Sequence, residues 1–315
     1  MQNIWDEFIS TSNNGTVFQK QSFLAYHIER KFTNHSLLFY KKKKLICVFP
    51  AAIIIKNKQK ILFSHPGASF GGLIFQVGIS FSLCNAVISS FENYCKKLAI
   101  DSLIMINTPL VYYKQKNDSL NYLLLWKKYS ITEYYISHYI DLYSTKNLKQ
   151  LLNKRKQRYL KNLLIKKTFN IKRSHSFSTF YRLLVQSKKT FQTTPTHSLD
   201  ELKKLQLLFP NDIQLFLTKK DKNIVGGTVL FLANKRSSLV FYNVVRTNLK
   251  NSQLAMLQLY NAMLVSKINK CKIIDLGISH TPENINPHNP KFSLIDFKEQ
   301  LGAKGVLRLV YKKDF

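Results

Sequence analysis

A chain of 315 residues with 45% hydrophobic side chains can bury one large core or two domains of ordinary size, which excludes a disordered or fibrous polymer. Lys and Arg number 48 against 17 Asp and Glu, a formal net charge of +31 that surrounds the protein with a field attracting polyanions such as RNA, nucleotide sugars, coenzyme A or anionic lipid. The same excess is what a compositional bias toward Lys, Asn, Ile, Phe and Tyr would give on a merely solvated surface, so charge alone names no partner.

In chain order, residues 3–10 and 20–31 read as short helices, the second carrying Phe23, Tyr26 and His27. Residues 36–40 and 45–55 read as strands joined by four lysines, and Pro50 marks an edge or a bulge because proline cannot donate to a ladder. Ser64 to Gly72 (SHPGASFGG) separates two further strand candidates. Its glycines allow positive φ or close backbone approach, so Gly67, Ser69, Gly71 and Gly72, with His65 beside them, are candidate substrate contacts; a plain turn would look similar. Residues 80–98 form an amphipathic helix, a strand follows at 102–106, and residues 131–142 close a first domain placed at 1–145.

Between Lys146 and Arg173 there are eleven Lys or Arg and no acidic residue. Leu148, Leu151, Leu152, Leu160, Leu163 and Leu164 supply an apolar side, so this basic arm reads as a helix projecting Lys154, Arg155, Arg158 and Lys161 to solvent, where they could hold phosphates. A helix at 176–190 precedes TPTHSLDEL, where Ser198 and Glu201 fit a capping box. Residues 213–218 form a strand, 224–232 and 238–245 a hairpin, 253–268 a helix and 272–278 a strand interrupted by Asp275. Hairpin, helix and strand make an α/β unit within a second domain at 146–315.

The DLGIS run at 275–279 followed by Phe297-Lys298-Glu299-Gln300-Leu301-Gly302-Ala303 resembles the second domain of the Fem-like aminoacyltransferases, a double version of the GNAT acyltransferase fold. GTVFQKQSFLAYH (15–27), FPAA (49–52), SHPGASFGGLIF (64–75) and TPTHSLDELKKL (194–205) extend the resemblance over nearly the whole chain, and the most similar members look like GNAT enzymes of surface-polysaccharide or cell-wall assembly. The resemblance implies an α/β (α+β) fold of two GNAT-like domains, each a mixed sheet flanked by helices. It implies N-acyl transfer to an amine of a cell-envelope sugar or peptide precursor, with acyl-CoA or aminoacyl-tRNA as co-substrate and no permanent cofactor. Lys298 matches the family lysine near the acyl end of the donor, and Phe297 would shape the pocket. Asp275 would orient an amine or pin the loop at Gly277 and Ser279; Tyr242 would face the cleft or pack in the hairpin.

Acyl transfer needs an oriented donor and oxyanion stabilisation rather than a metal or covalent nucleophile. No zincin, P-loop or dinucleotide motif competes, since GASFGG has the wrong spacing. The segment Arg246 to Ser252 lacks the glycine that GNAT enzymes place at the coenzyme A pyrophosphate, which weakens acyl-CoA without excluding it, while the positive charge would suit aminoacyl-tRNA equally. The rival reading is an inactive RNA-binding protein. Four scattered cysteines, Cys47, Cys84, Cys95 and Cys271, and the absence of a signal-like start or a long apolar run lead to the expectation of a cytoplasmic protein, whose positive surface leaves peripheral contact with the inner membrane face open. Expected partners are an anionic or lipid-linked precursor and tRNA; the oligomeric state stays open.

Overall fold

The computed structural model describes residues 2–26, 33–190, 192–281, 286 and 288–315. They form two compact units, Met1–Tyr135 with Leu307–Phe315, and Ile136–Val306.

The first unit runs α1 (Gln2–Thr11), α2 (Gln21–Leu24), β1 (Thr33–Asn34), β2 (Leu37–Lys41), β3 (Lys44–Phe49), β4 (Ala52–Lys56), β5 (Gln59–Phe63), β6 (Ile74–Phe75), α3 (Phe81–Lys97), β7 (Ser102–Ile106) and α4 (Ser119–Trp126). Of the helix expected over 20–31, the described part ends at Leu24, and residues 27–31 with His27 lie outside the described residues. The strand expected over 45–55 is two strands. Pro50 and Ala51 are the break, because a ladder cannot pass a residue without an N–H. β3 pairs with β2 and β6 in a small sheet, whereas β4 joins β1 and β5 in the main one. Helix α3 starts where Ser80 accepts the Leu83 N–H, and Cys84, Val87, Ile88, Phe91 and Cys95 form its buried face. That face packs in one core with Phe49, Leu62, Leu103, Met105 and Tyr311, where burying a side chain such as Phe91 contributes about 1.5–3 kcal/mol.

β8 (Ser130–Asp141) carries the chain onward, and the units change inside it, at Tyr135/Ile136. The sequence places the boundary at 145/146, where the basic arm begins. Charge composition marks the arm, but packing decides which core each half of a long strand serves.

The second unit continues with α5 (Lys154–Lys166), β9 (Asn170–Ser174), α6 (Phe177–Lys189), α7 (Leu199–Leu208), β10 (Ile213–Lys220), β11 (Asn223–Asn234), β12 (Ser237–Val245), α8 (Leu254–Ile268), β13 (Ile273–Ile278) and α9 (Phe292–Glu299). The last strand, β14 (Lys304–Asp314), returns Leu307–Phe315 to the first unit, where it pairs antiparallel with β7. The basic arm is not one helix. Asn153 caps α5 by accepting the Lys156 N–H, Lys167 ends it in a left-handed conformation (φ 48°), and residues 170–174 become an edge strand against β10. Ser198 and Glu201 exchange both bonds of the capping box.

Each unit has a mixed sheet. In the first, β5 and β7 are parallel and their neighbours antiparallel; in the second, the order is β8-β13-β12-β11-β10-β9 and only β12 and β13 run parallel. Helix α8 packs on β11, β12 and β13, and α6 on β11 and β12. Cys47, Cys84, Cys95 and Cys271 are buried free thiols.

Candidate functional site

The parallel pair of the second unit is the feature that makes a site. β12 and β13 are in register only over Ser237↔Ile273, Ser238↔Ile274 and Leu239↔Asp275. Beyond that, β12 runs on to Val245 paired with β11, while β13 bulges after Asp275 and pairs with β8 through Ile278↔Ser137. Two strands that part in this way leave an opening at their carboxyl ends, the usual location of a ligand in an α/β sheet.

Gly277 makes the bulge, with φ at 79°, a left-handed value that costs a residue with a Cβ. The Asp275 carboxylate, fully buried, holds it: Oδ1 accepts the Gly277 N–H at 2.7 Å and the Ser137 hydroxyl at 2.6 Å. Lys298, on α9, reaches the same turn from the other side. Its ammonium donates to Gly277 O (2.7 Å), Ile278 O (2.9 Å) and Ser279 Oγ (3.0 Å), and only 4% of the residue is exposed. Ser279 Oγ also meets His138 Nδ1, at 2.8 Å. Burial and then the Lys298 charge push His138 below its ordinary value, with Asp275 opposing, so the ring is neutral at pH 7.

Phe297, beside Lys298 on α9, packs against the core of the second unit. Lys156 Nζ lies 5.1 Å above its ring and donates to Gln253 Oε1 at 2.7 Å. Gln253, left-handed at φ 60°, is the residue before the first turn of α8. Lys156 is 5% exposed, and burial followed by the neighbouring Arg155 lowers its pKa. A buried ammonium is therefore set against the positive end of a 15-residue helix. Two like partial charges side by side raise the local potential for an anion. On the α6 side, Val245, Arg246, Thr247 and Asn248 with Leu183, Gln186 and Ser187 line an open cleft of about 430 Å³.

Three of the residues singled out from sequence, Asp275, Ser279 and Lys298, thus meet at the Gly277 turn, while Phe297 meets Lys156. Lys154, Arg158 and Lys161 are exposed along α5, and Arg155 donates to Gln300 Oε1 at 3.1 Å. Tyr242 belongs to the opposite face of the sheet: its hydroxyl meets His197 Nδ1 at 3.2 Å, its ring packs by Phe180 of α6, and burial raises its pKa. Lys156 escapes notice within KRKQR, although its spacing of four from Leu152 and Leu160 puts it on the buried stripe. Gln253 and His138 carry no sequence signal of their own.

The glycine loop belongs to the first unit and is packed against its own sheet. Ser64 N donates to Ile104 O, Ser64 Oγ accepts the Ile106 N–H, and Gly71 N donates to Ile106 O. His65 is 1% exposed with Nδ1 at Pro66 O, Arg308 donates to Ser69 O, Gly67 is exposed at φ 85°, and Gly72 at φ 74° lies against Asn107.

No family model and no curated protein matches the sequence. Solved structures do match in fold. FemX superposes with a TM-score of 0.76 at 12% identity, covering 100% of this chain and 96% of that one. L-PGS from Bacillus licheniformis gives 0.61 at 12%, covering 99% and 91%. A tandem GNAT protein from the clavulanic acid biosynthesis pathway gives 0.50 at 9%, covering 99% and 93%. Over its whole length the chain therefore carries the Fem-type fold, a tandem of GNAT-like α/β units.

Proposed function

We propose that the protein is an acyltransferase that moves an activated acyl or aminoacyl group onto an amine of a cell-envelope precursor, at the opening between β12 and β13. The observation that carries this is the pairing of an anion-binding element with a polarised strand end in one unit: the α8 N-terminus with Lys156 on one side, the Lys298–Gly277–Ser279 cluster on the other. Acyl-CoA and aminoacyl-tRNA share the features such a site needs, phosphates and an ester-type carbonyl. The resemblance to Fem-like aminoacyltransferases favours the aminoacyl donor, the likeness to a tandem GNAT protein the acyl-CoA donor.

In this reaction the neutral amine attacks the donor carbonyl carbon and the π pair moves to oxygen. Collapse then expels thiolate or ribose oxygen, and the proton lost by the amine ends on the leaving group or solvent. The residues supply position and field rather than bonds. Lys156 and the α8 amide dipoles hold donor phosphate. Lys298 fixes the β13 end and contributes positive potential where the oxyanion develops. Asp275 holds the bulge that keeps the strands apart.

Equilibrium binding of acetyl-CoA, aminoacyl-tRNA and uncharged tRNA, followed by transfer to amino-sugar and peptide amines, tests the reading. Lys156→Met is expected to weaken the productive donor about tenfold. Lys298→Met, with its fold checked by circular dichroism, is expected to lower kcat about a hundredfold. Equal binding of charged and uncharged tRNA with no transfer from either donor would replace the proposal by RNA binding alone.

A further inference from the structure

The outer side of α5 and α8 combines features that the transfer site does not use. Leu163, Leu164 and Lys167 of the α5 end, Phe169 and Ile171 beyond it, and Leu257, Tyr260 and Leu264 of α8 line an open groove of about 220 Å³. Aliphatic side chains stand exposed around it: Ile165 at 67% and Leu164 at 43% on α5, Leu264 at 40% and Ile268 at 78% on α8. Leu264 and Ile268 are four residues apart and so lie one above the other on the helix. Large exposed aliphatics grouped on two packed helices are uncommon on a surface that meets only water. Cations flank them. Lys161 lies one turn before Ile165, Lys166 and Lys167 follow it, Arg158 shares the solvent side of α5, and all four are exposed. No acidic residue interrupts 146–173.

We infer that this α5–α8 face docks on an anionic phospholipid bilayer. Leu164, Ile165, Leu264 and Ile268 enter the boundary between headgroups and acyl chains, while Arg158, Lys161, Lys166 and Lys167 sit at the lipid phosphates. No described helix is long and apolar enough to cross a membrane, so the contact is with one leaflet. RNA would use the cations equally well, and Arg158 and the 40% exposed Tyr159 offer it planar groups. Lipid is favoured because the most exposed large apolar side chains of the two helices, Ile165 and Ile268, are aliphatic and give a base no ring to stack on.

The test is co-sedimentation of the full chain with vesicles of phosphatidylcholine containing phosphatidylglycerol, and with phosphatidylcholine alone. Binding is expected only to the anionic vesicles and is expected to fall with salt. Ile165→Asp with Ile268→Asp changes solvent-facing positions and is expected to reduce partitioning about tenfold, as is Lys161→Glu with Lys166→Glu. Lys42→Glu with Lys43→Glu removes the same charge from an exposed turn of the first unit and is expected to leave most of the binding. The inference is overturned if the turn variant loses as much as the α5 variant, which would make binding a property of net charge. It is also overturned if the aspartate variant binds vesicles normally, or if the face binds RNA and no vesicle. Because partitioning is read without turnover, failure of the transferase reading would not affect this result.

Discussion

The two units contain the same local device and use it differently. In each, a parallel pair is in register over three residues: Ile61↔Ser102 to Phe63↔Ile104 in the first unit, Ser237↔Ile273 to Leu239↔Asp275 in the second. In the first, the chain after β5 stays on its partner, through Ser64, Gly71 and the Gly71↔Asn107 bridge, and the pair is zipped shut. In the second, β13 bulges at Gly277 toward β8 and the pair opens. A parallel pair is thus a place where a site can form, and the segment that follows the ladder decides whether it does.

Two glycines of similar φ give the most direct way to break that comparison. At Gly72 an added Cβ would displace Asn107 Oδ1 as well as sit at φ 74°, so Gly72→Ala is expected to cost about 2–3 kcal/mol, read as a fall in the denaturant midpoint. In Asp275→Asn the amide keeps the shape but lacks the charge that holds Gly277 N and Ser137. A loss of about 1–3 kcal/mol is expected, with donor binding weakened in the same variant. At Gly277 the nearest atom to a Cβ outside its chain neighbours is Val240 O at 3.8 Å, so Gly277→Ala meets only the backbone penalty, about 1–2 kcal/mol. If Gly277→Ala proved as costly as Gly72→Ala, the second pair would not be open.

The smallest effect is a pH dependence. His138 titrates below its ordinary value in the folded chain, so the unfolded chain binds the proton more readily. The stability it contributes is present above about pH 6.5 and is lost as pH falls through that value toward the lower folded pKa. His35 of the first unit is lowered too, by burial and by Lys60, so wild type alone cannot separate the two. His138→Gln is expected to flatten part of the acid-side decline in thermal midpoint, and an unchanged slope would remove His138 from the account.

Much of the second unit was legible because its elements are long and periodic. The β11–β12 hairpin, α8 and β13 fall within a residue or two of the positions read from alternation and helical spacing. The basic arm was legible as charge but not as structure: the left-handed Lys167 and the pairing of residues 170–174 with β10 turn one expected helix into a helix and a strand. At the site, Asp275 stood out as a carboxylate within an apolar strand, whereas Lys298, between Asp296 and Glu299, was legible only through the family resemblance. Lys156 was legible in neither way, since a buried cation looks like any other until its neighbours are known.

The sequence by itself determined the long periodic elements of the second unit, the Ser198 cap and the excess of positive charge, because these depend on residues within a few positions of one another. Only the tertiary structure decided that β14 returns to the first core, that one parallel pair is closed and the other open, and that Lys156, rather than Lys154, Arg158 or Lys161, meets Gln253. These outcomes rest on contacts between segments far apart in the chain, where the gain from packing and hydrogen bonding outweighs any local preference.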